Sequence, residues 1–382
     1  MTKRTVYLDN AATTPCDPAV VDVMMPYFTK DFWNPSANYN PSYVMKSLIE
    51  DSQRKISKLI NCNPEEIYFT SGGSESDNWA LRGIAKPGDH IITSKIEHHA
   101  ILHTCEYLES CGVGVSYLDV NENGIIDISQ LKSIIKPNTR LISVMCANNE
   151  VGILQPIEEI CEIAHDHGVL FHTDATQVVG HELIDVRQCG IDLLTASAHK
   201  LNGPKGIGFL YIRDGIEISP LIYGGAQQNG FRAGTENVPG IIGFGEAAEI
   251  AFNNWHERYV YCTKLRNYFE DKIIKSIPHV KINGDRYMRL PNITSASFSG
   301  IRAEALLVIL EMHGVYVNTG SACNSSSGEP SHVLMAMGLS EEQADSTVRF
   351  SLSHLTTKDD IDYVIDVLCE CVAQLRSVNK HE

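Results

Sequence analysis

Between residues 66 and 212 the chain alternates short apolar runs with stretches of helical period, and this alternation constrains its fold more than any other feature. The runs are Glu66-Ile-Tyr-Phe-Thr, His90-Ile-Ile-Thr, Gly114-Val-Ser-Tyr-Leu-Asp, Arg140-Leu-Ile-Ser-Val-Met-Cys-Ala, Val169-Leu-Phe-His-Thr, Ile191-Asp-Leu-Leu-Thr and Phe209-Leu-Tyr-Ile212. Most are continuously apolar instead of alternating, as expected of strands covered on both faces. Helices are expected between them at 99–110, 129–135 and 157–167. This rhythm predicts an α/β fold with a mostly parallel sheet, whose ligand crevice lies at the carboxyl ends of its strands.

At 382 residues the chain is long enough for two domains. Asp17 and Pro18 mark a helix over 18–28, turn residues make 32–42 a loop, and apolar spacing predicts a helix over 42–60. A long helical pattern from 241 to about 277 leads out of the alternating region. The last third reads as a smaller α+β layer, with strands at 292–298, 315–317 and 347–351 and helices at 302–311 and 358–376. The expected division is a large domain over 15–255 and a small domain made of 1–14 and 256–382.

Polar residues at the strand ends indicate what the crevice can hold. Thr195-Ala-Ser-Ala-His199-Lys200-Leu-Asn-Gly203 places a lysine where a buried strand gives way to a glycine-rich turn. Most lysines are solvated surface charges, but this one has Ser197 and His199 beside it, two donors suited to an anion. Leu170-Phe-His-Thr-Asp174 ends another strand in an aspartate. A lysine that can form a Schiff base and an aspartate that can protonate a pyridine nitrogen are the minimal apparatus of pyridoxal phosphate (PLP) chemistry. Ser71-Gly72-Gly73-Ser74 joins a strand to a helix start, whose free N–H groups and dipole suit a phosphate, although tight turns without a ligand use the same residues. It has neither the Walker A spacing nor the dinucleotide fingerprint.

Other segments face the same edge. His98 follows a strand-like run and is either a structural residue or a ring that stacks on a ligand. Asn148-Asn149-Glu150 puts amide donors at the end of another strand, and 223–237 is a glycine loop too polar for a core. Asn318-Thr-Gly-Ser-Ala-Cys323-Asn-Ser-Ser-Ser-Gly has no apolar anchor, so its thiol belongs to the exposed and reactive kind. Arg349 lies on a short strand, where its planar fork either clamps a carboxylate or pairs with an acid such as Glu304 or Asp345.

Several function classes are set aside. A formal charge of -16 leaves no concentrated basic face for nucleic acid. No stretch is apolar and long enough to span a bilayer, and the first residues have no apolar leader core, so a cytosolic protein is expected. The 11 cysteines are odd in number and contain no C-x-x-C pair, so they read as mostly reduced. Asp119-Val-Asn121-Glu-Asn123-Gly124 imitates a calcium loop, but its twelfth position is Gln130 where a bidentate glutamate is needed, and a turn explains it. His98, His99 and His103 could suggest a metal site, since 99 and 103 are four apart on an expected helix, but there is no H-E-x-x-H pattern and no obvious third ligand, and no metal is expected.

Asp174-Ala-Thr-Gln177, Ser197-Ala-His-Lys200, Arg232-Ala-Gly-Thr-Glu-Asn237, Gly320-Ser-Ala-Cys323 with Glu329-Pro-Ser-His332, and Arg349-Phe-Ser351 resemble the motifs of cysteine desulfurases of the NifS/IscS type, in the class V aminotransferase family. The likeness runs from Tyr7-Leu-Asp-Asn-Ala-Ala-Thr-Thr14 to the final helices, and the long loop around Cys323 resembles the group I branch. It implies the PLP-dependent transferase fold type I and a homodimer with sites at its interface. It implies conversion of L-cysteine to L-alanine, with sulfur left as a persulfide on Cys323 and passed to an acceptor protein. An iron–sulfur scaffold or a thiouridylase would be that acceptor, serving iron–sulfur cluster assembly, a thio-cofactor or tRNA thiolation.

By the same resemblance Lys200 would carry the cofactor and move protons, Asp174 would keep the pyridine nitrogen protonated, and His98 would stack on the ring. Gln177 and Asn149 would lie near the phenolic oxygen and the substrate carboxylate. Gly73, Ser74, Ser197 and His199 would bind the phosphate, with Thr235 reaching across from a second subunit. Arg349 would hold the α-carboxylate of the substrate, and Cys323 would attack its sulfur.

The chain departs from the family at Asn40 and Tyr43, where relatives often carry His and Gly. It has Ala226-Gln-Gln-Asn229-Gly for the usual Gly-Gln-Glu-Arg-Gly, and Asn202 for an aromatic or His. These changes bear on substrate preference and on the sulfur acceptor. The alternatives are a selenocysteine lyase or another enzyme of the same fold, and a catalytically silent scaffold. The intact Gly-Ser-Ala-Cys323 loop argues against an aminotransferase.

Overall fold

The computed structural model describes residues 4–320 and 330–379. Its strands are β1 (Val6–Tyr7), β2 (Ile67–Thr70), β3 (His90–Ser94), β4 (Gly114–Leu118), β5 (Thr139–Ser143), β6 (Leu170–Asp174), β7 (Leu193–Ser197), β8 (Gly208–Ile212), β9 (Val280–Ile282), β10 (Ile293–Phe298), β11 (Val315–Tyr316) and β12 (Thr347–Ser351). Seven form one sheet in the order β2-β8-β7-β6-β5-β3-β4. The pairs from β7 through β6 and β5 to β3 and β4 are parallel, whereas β8 runs antiparallel to both β2 and β7. β2 therefore points the same way as β7, and six strands open their carboxyl ends at one edge. β3, β7 and β8 are buried at every position, which is why their sequences read as unbroken runs.

Helices follow the expected rhythm. The one after β3 spans His99–Ser110, and the one after β5 spans Ile157–Asp166. The helix expected over 18–28 is divided into Pro18–Met24 and Pro26–Thr29. Pro26 has no N–H to give to the preceding turn, so the ladder of helical bonds breaks there although Met25 keeps helical geometry at φ -55° and ψ -41°, and a second short helix begins. Asp17 caps the first piece by accepting the Ala19 N–H at 2.9 Å. The stretch resembling a calcium loop closes as a turn: Asn121 Oδ1 accepts the N–H groups of Asn123 and Ile125, and the Gln130 side chain bonds Asp119 through both its ends.

The other strands form an antiparallel sheet, β12-β10-β9, and a parallel pair, β1 with β11. Bridges between Asp9 and Ser351 and between Asn318 and Arg349 fasten this pair to β12. The 39-residue helix Val238–Ser276 enters two of the hydrophobic cores, one on each sheet. Ile241, Phe244 and Ala248 pack into the core of the large sheet, while Leu265, Phe269 and Ile273 pack with Phe298 and Phe350 of the smaller one. The ten described cysteines are all unpaired, and no helix among the described residues is long and apolar enough to cross a membrane.

Candidate active site

The carboxyl edge of the large sheet opens into a cavity of about 320 Å³. β7 delivers Lys200 to it. After Ser197 the chain makes one tight turn, Ala198–Lys200, and doubles back so closely that a Cβ on Gly203 would lie 2.8 Å from the Ala198 carbonyl oxygen. Only glycine fits there. Asn202 sits between them at φ 64°, in the left-handed region that Asn tolerates better than most side chains, and donates to the Pro15 carbonyl at 3.0 Å. Its departure from the family pattern is thus a conformational fit. The turn aims Lys200 Nζ at the carbonyls of Ala11 and Ala12, at 2.6 and 2.8 Å. Ala11 and Ala12 are therefore part of a wall of the cavity, and their small side chains let other groups approach closely.

Asp174, at the end of β6, is 7% exposed and accepts the Thr176 N–H on Oδ1 at 2.9 Å. Gln177 donates to the Ala11 carbonyl at 3.0 Å. His98 caps the helix His99–Ser110, accepting the Ala100 N–H on Nδ1 at 3.1 Å, which leaves its hydrogen on Nε2. Burial lowers the pKa of this ring against the opposing pull of Asp174, so it is neutral. Behind Asp174 lies a second carboxyl, Asp77, whose pKa is pushed well up by burial and then by the Asp174 charge. The adjoining His172 is pushed down to about 3 by burial alone and supplies no counter-charge.

Gly73 begins the helix Gly73–Ile84 at the cavity, where the first N–H groups have no partner in the helix. Ser74, Ser197 and His199 line the same end. The His199 Nδ1 is 3.1 Å from Thr13 Oγ1, and burial pushes its pKa down to about 4. Thr235 is exposed and does not line the cavity. Around this cavity Thr176 Oγ1, Asp77 Oδ1 and Arg349 Nε are buried polar atoms without hydrogen-bond partners, as expected where a polar ligand completes the wall. A helix start with hydroxyl donors, an aspartate at a strand end and a lysine in the opposite turn fit PLP, a phosphate ester of a pyridine aldehyde.

Arg349 comes from β12 and is 3% exposed. Its Nη1 donates to the Asn149 carbonyl at 3.0 Å and its Nη2 to Asp9 Oδ1 at 2.6 Å. The acid beside it is thus Asp9, not Glu304 or Asp345: Glu304 bonds Arg302 on the surface, and Asp345 is exposed. Asp9, Asp77 and Thr176 went unassigned in the sequence. The small residues after Asp9 signal a close approach, but nothing local pairs that acid with residue 349. Cys323 lies outside the described residues, and none of the ten described cysteines lines the cavity.

The family described as aminotransferase class-V matches residues 6–364. Over 380 residues the chain is 48% identical to a Clostridium botulinum protein named cysteine desulfurase IscS, covering 98% of this chain and 96% of that one. A solved structure described as a NifS-like protein matches with a TM-score of 0.91 at 35% identity, covering 97% of this chain and 100% of the other. Another, described as SspA in complex with cysteine, matches with a TM-score of 0.80 at 36% identity, covering 93% of this chain and 100% of that one. With this cavity and these relatives, the chain belongs to the PLP-dependent class V aminotransferase family, among its cysteine desulfurases of the IscS/NifS type.

Proposed function

We propose that the chain takes L-cysteine into this cavity, releases L-alanine and leaves the sulfur as a persulfide on Cys323. The observation that carries this reading is the convergence of Lys200, Asp174 and Arg349 on one cavity. Bound there, PLP supplies an electron sink that weakens the bonds to Cα and Cβ of an attached amino acid. Ser74, Ser197, His199 and the helix start at Gly73 would hold its phosphate, Asp174 its pyridine nitrogen and Gln177 its phenolic oxygen. His98 would lie against the ring, and Lys200 would hold the cofactor and carry protons to and from the substrate. Thr235 would come from a second copy of the chain.

Arg349 receives the α-carboxylate of cysteine. Asp9 and the Asn149 carbonyl fix the plane of its guanidinium beforehand, so the substrate is oriented as well as bound. The Cys323 thiolate attacks the substrate sulfur, the Cβ–S bond breaks, and its electron pair takes up a proton to give the methyl group of alanine. In support of this role, Gly320, three residues before Cys323, lines the cavity.

The two cores joined by the helix Val238–Ser276 support a large domain over 15–255 and a small one from 1–14 and 256–382. Exposed Phe32, Tyr43 and Tyr223 favour a homodimer, and the unpaired cysteines favour a reducing, cytoplasmic setting. An iron–sulfur scaffold or a thiouridylase would accept the sulfur. The test is direct: PLP-loaded protein given L-cysteine and a reductant should form sulfide and alanine in equal amounts. Failure to form them, with PLP bound, overturns the reading.

A further inference from the structure

We propose that Glu150 is a positioning residue that ties both stems of the Cys323 segment to the wall on which Arg349 is fixed. The inference rests on the reading of Cys323 as sulfur acceptor. On one side the chain runs from Asn318 to Gly320. Asn318 exchanges backbone hydrogen bonds with Arg349 at 3.3 and 2.6 Å, and its side chain donates to Asp9 Oδ2 at 3.1 Å. Gly320 then passes at φ 85° so close to Glu150 that a Cβ there would lie 2.9 Å from Oε2. On the other side Ser331 Oγ donates to the same Oε2 at 2.5 Å, and accepts the Leu334 N–H at 3.2 Å at the start of the helix His332–Ala336. One carboxyl oxygen therefore bonds the chain where it returns and leaves no room for a side chain at Gly320, where the chain departs for Cys323.

Glu150 is itself held in place. It is 5% exposed, its N–H donates to Asn148 Oδ1 at 2.8 Å, and the preceding carbonyl, that of Asn149, accepts from Arg349. It does not line the cavity and so acts through the stems. Burial raises the pKa of its carboxyl against the opposing Ser331 bond and Arg349 charge, and glutamine, of the same shape and with an oxygen that can accept from Ser331, is the conservative replacement. The point at which a reacting thiol meets its target is set by where its segment is anchored, and a misplacement of about 1 Å costs on the order of 100-fold in rate.

The experiment uses the holoenzyme. Glu150→Ala removes the shared acceptor and Ser331→Ala removes the donor, neither side chain lining the cavity. Both variants should keep the visible cofactor band and its response to L-cysteine and L-alanine, with unchanged Kd. Single-turnover persulfide formation on Cys323 should slow roughly 10- to 100-fold, and Glu150→Gln should restore most of it. Ser331→Ala decides the matter if Glu150→Ala does not fold. Wild-type persulfide rates in the folded variants overturn the inference, as does loss of cysteine binding, which would make Glu150 a structural part of the cavity. Cys323→Ser separates the two readings. Wild-type alanine formation by that variant overturns the acceptor role and this inference together, whereas an inactive Cys323→Ser beside a fully active Glu150→Ala overturns the inference alone.

Discussion

Asp9 Oδ1 lies 2.6 Å from Arg349 Nη2, a bond between residues 340 apart in the chain. The first strand segment and one of the last strands thus meet at the guanidinium proposed to receive the substrate carboxylate. The Asp9 carboxylate also takes the Asn318 amide, so it sets the guanidinium and the chain leading to Cys323 at once.

Asp9→Asn keeps the shape of the site but weakens the charge-assisted bond that orients the guanidinium. A loss of about 1 to 2 kcal/mol should raise KM for L-cysteine roughly 5- to 30-fold with little change in kcat. Steady-state kinetics decide this. A lower KM would mean that Asp9 competes with the substrate instead of orienting its receptor.

Arg349→Lys keeps the charge and loses the fork. kcat/KM for L-cysteine should fall by an amount equivalent to about 2 to 4 kcal/mol. The sequence alone suggests a purely catalytic loss, but the pair with Asp9 is largely buried, so Tm should fall as well. A variant that melts early yet turns cysteine over normally at low temperature would make the arginine structural only.

Lys200→Ala should abolish turnover and leave the fold intact, because the bonds that Nζ makes to the Ala11 and Ala12 carbonyls lie at the cavity wall. PLP should still bind, without a covalent link. Borohydride reduction followed by peptide mapping of the wild type should place the cofactor on Lys200, and finding it on another lysine would sink the assignment.

The sheet was legible because β3, β7 and β8 are buried at each position and so carry runs rich in Ile, Leu and small residues with no acid, lysine or arginine. Lys200 and Asp174 stood out because a charge at the end of such a run has no reason to be there in a structural protein. Strand β9 escaped notice: its middle residue, Lys281, is exposed and its neighbours are only half buried, so it has no apolar run. The reversal of β8 has no local signature either. Glu97, Asp77 and Glu150 could not be read at all, since an acidic residue is assigned to the surface unless its three-dimensional surroundings are known. Their burial depends on contacts made far along the chain, as with Glu150 and Ser331, 181 residues apart.

Glu97 gives a prediction about pH. It is 1% exposed; its Oε1 accepts from Ser94 Oγ at 2.5 Å, and its two oxygens accept the Met145 N–H at 3.0 and 3.1 Å. Burial, with a smaller push from the Asp174 charge, raises its pKa from the ordinary 4.5 to about 8. Below about pH 4.5 the folded and unfolded chains both carry this proton, and the stabilising contribution is fully present. Between about 4.5 and about 8 only the folded chain keeps it, so stability falls as pH rises, by at most about 1.4 kcal/mol per unit. Above about 8 both forms are ionised and the contribution is gone. Buried histidines with depressed values, His172 at about 3 and His181 at about 4, tilt stability the other way, but they are common to wild type and variant and cancel in the difference. Glu97→Gln cannot titrate. Its stability relative to wild type, from denaturant unfolding of PLP-free protein, should therefore improve steadily from pH 5 to pH 8, whatever fixed amount the lost acceptor to Met145 costs. A difference that stays constant over that range would mean that Glu97 is already ionised in the folded protein at pH 5, with the Ser94 and Met145 bonds outweighing its burial.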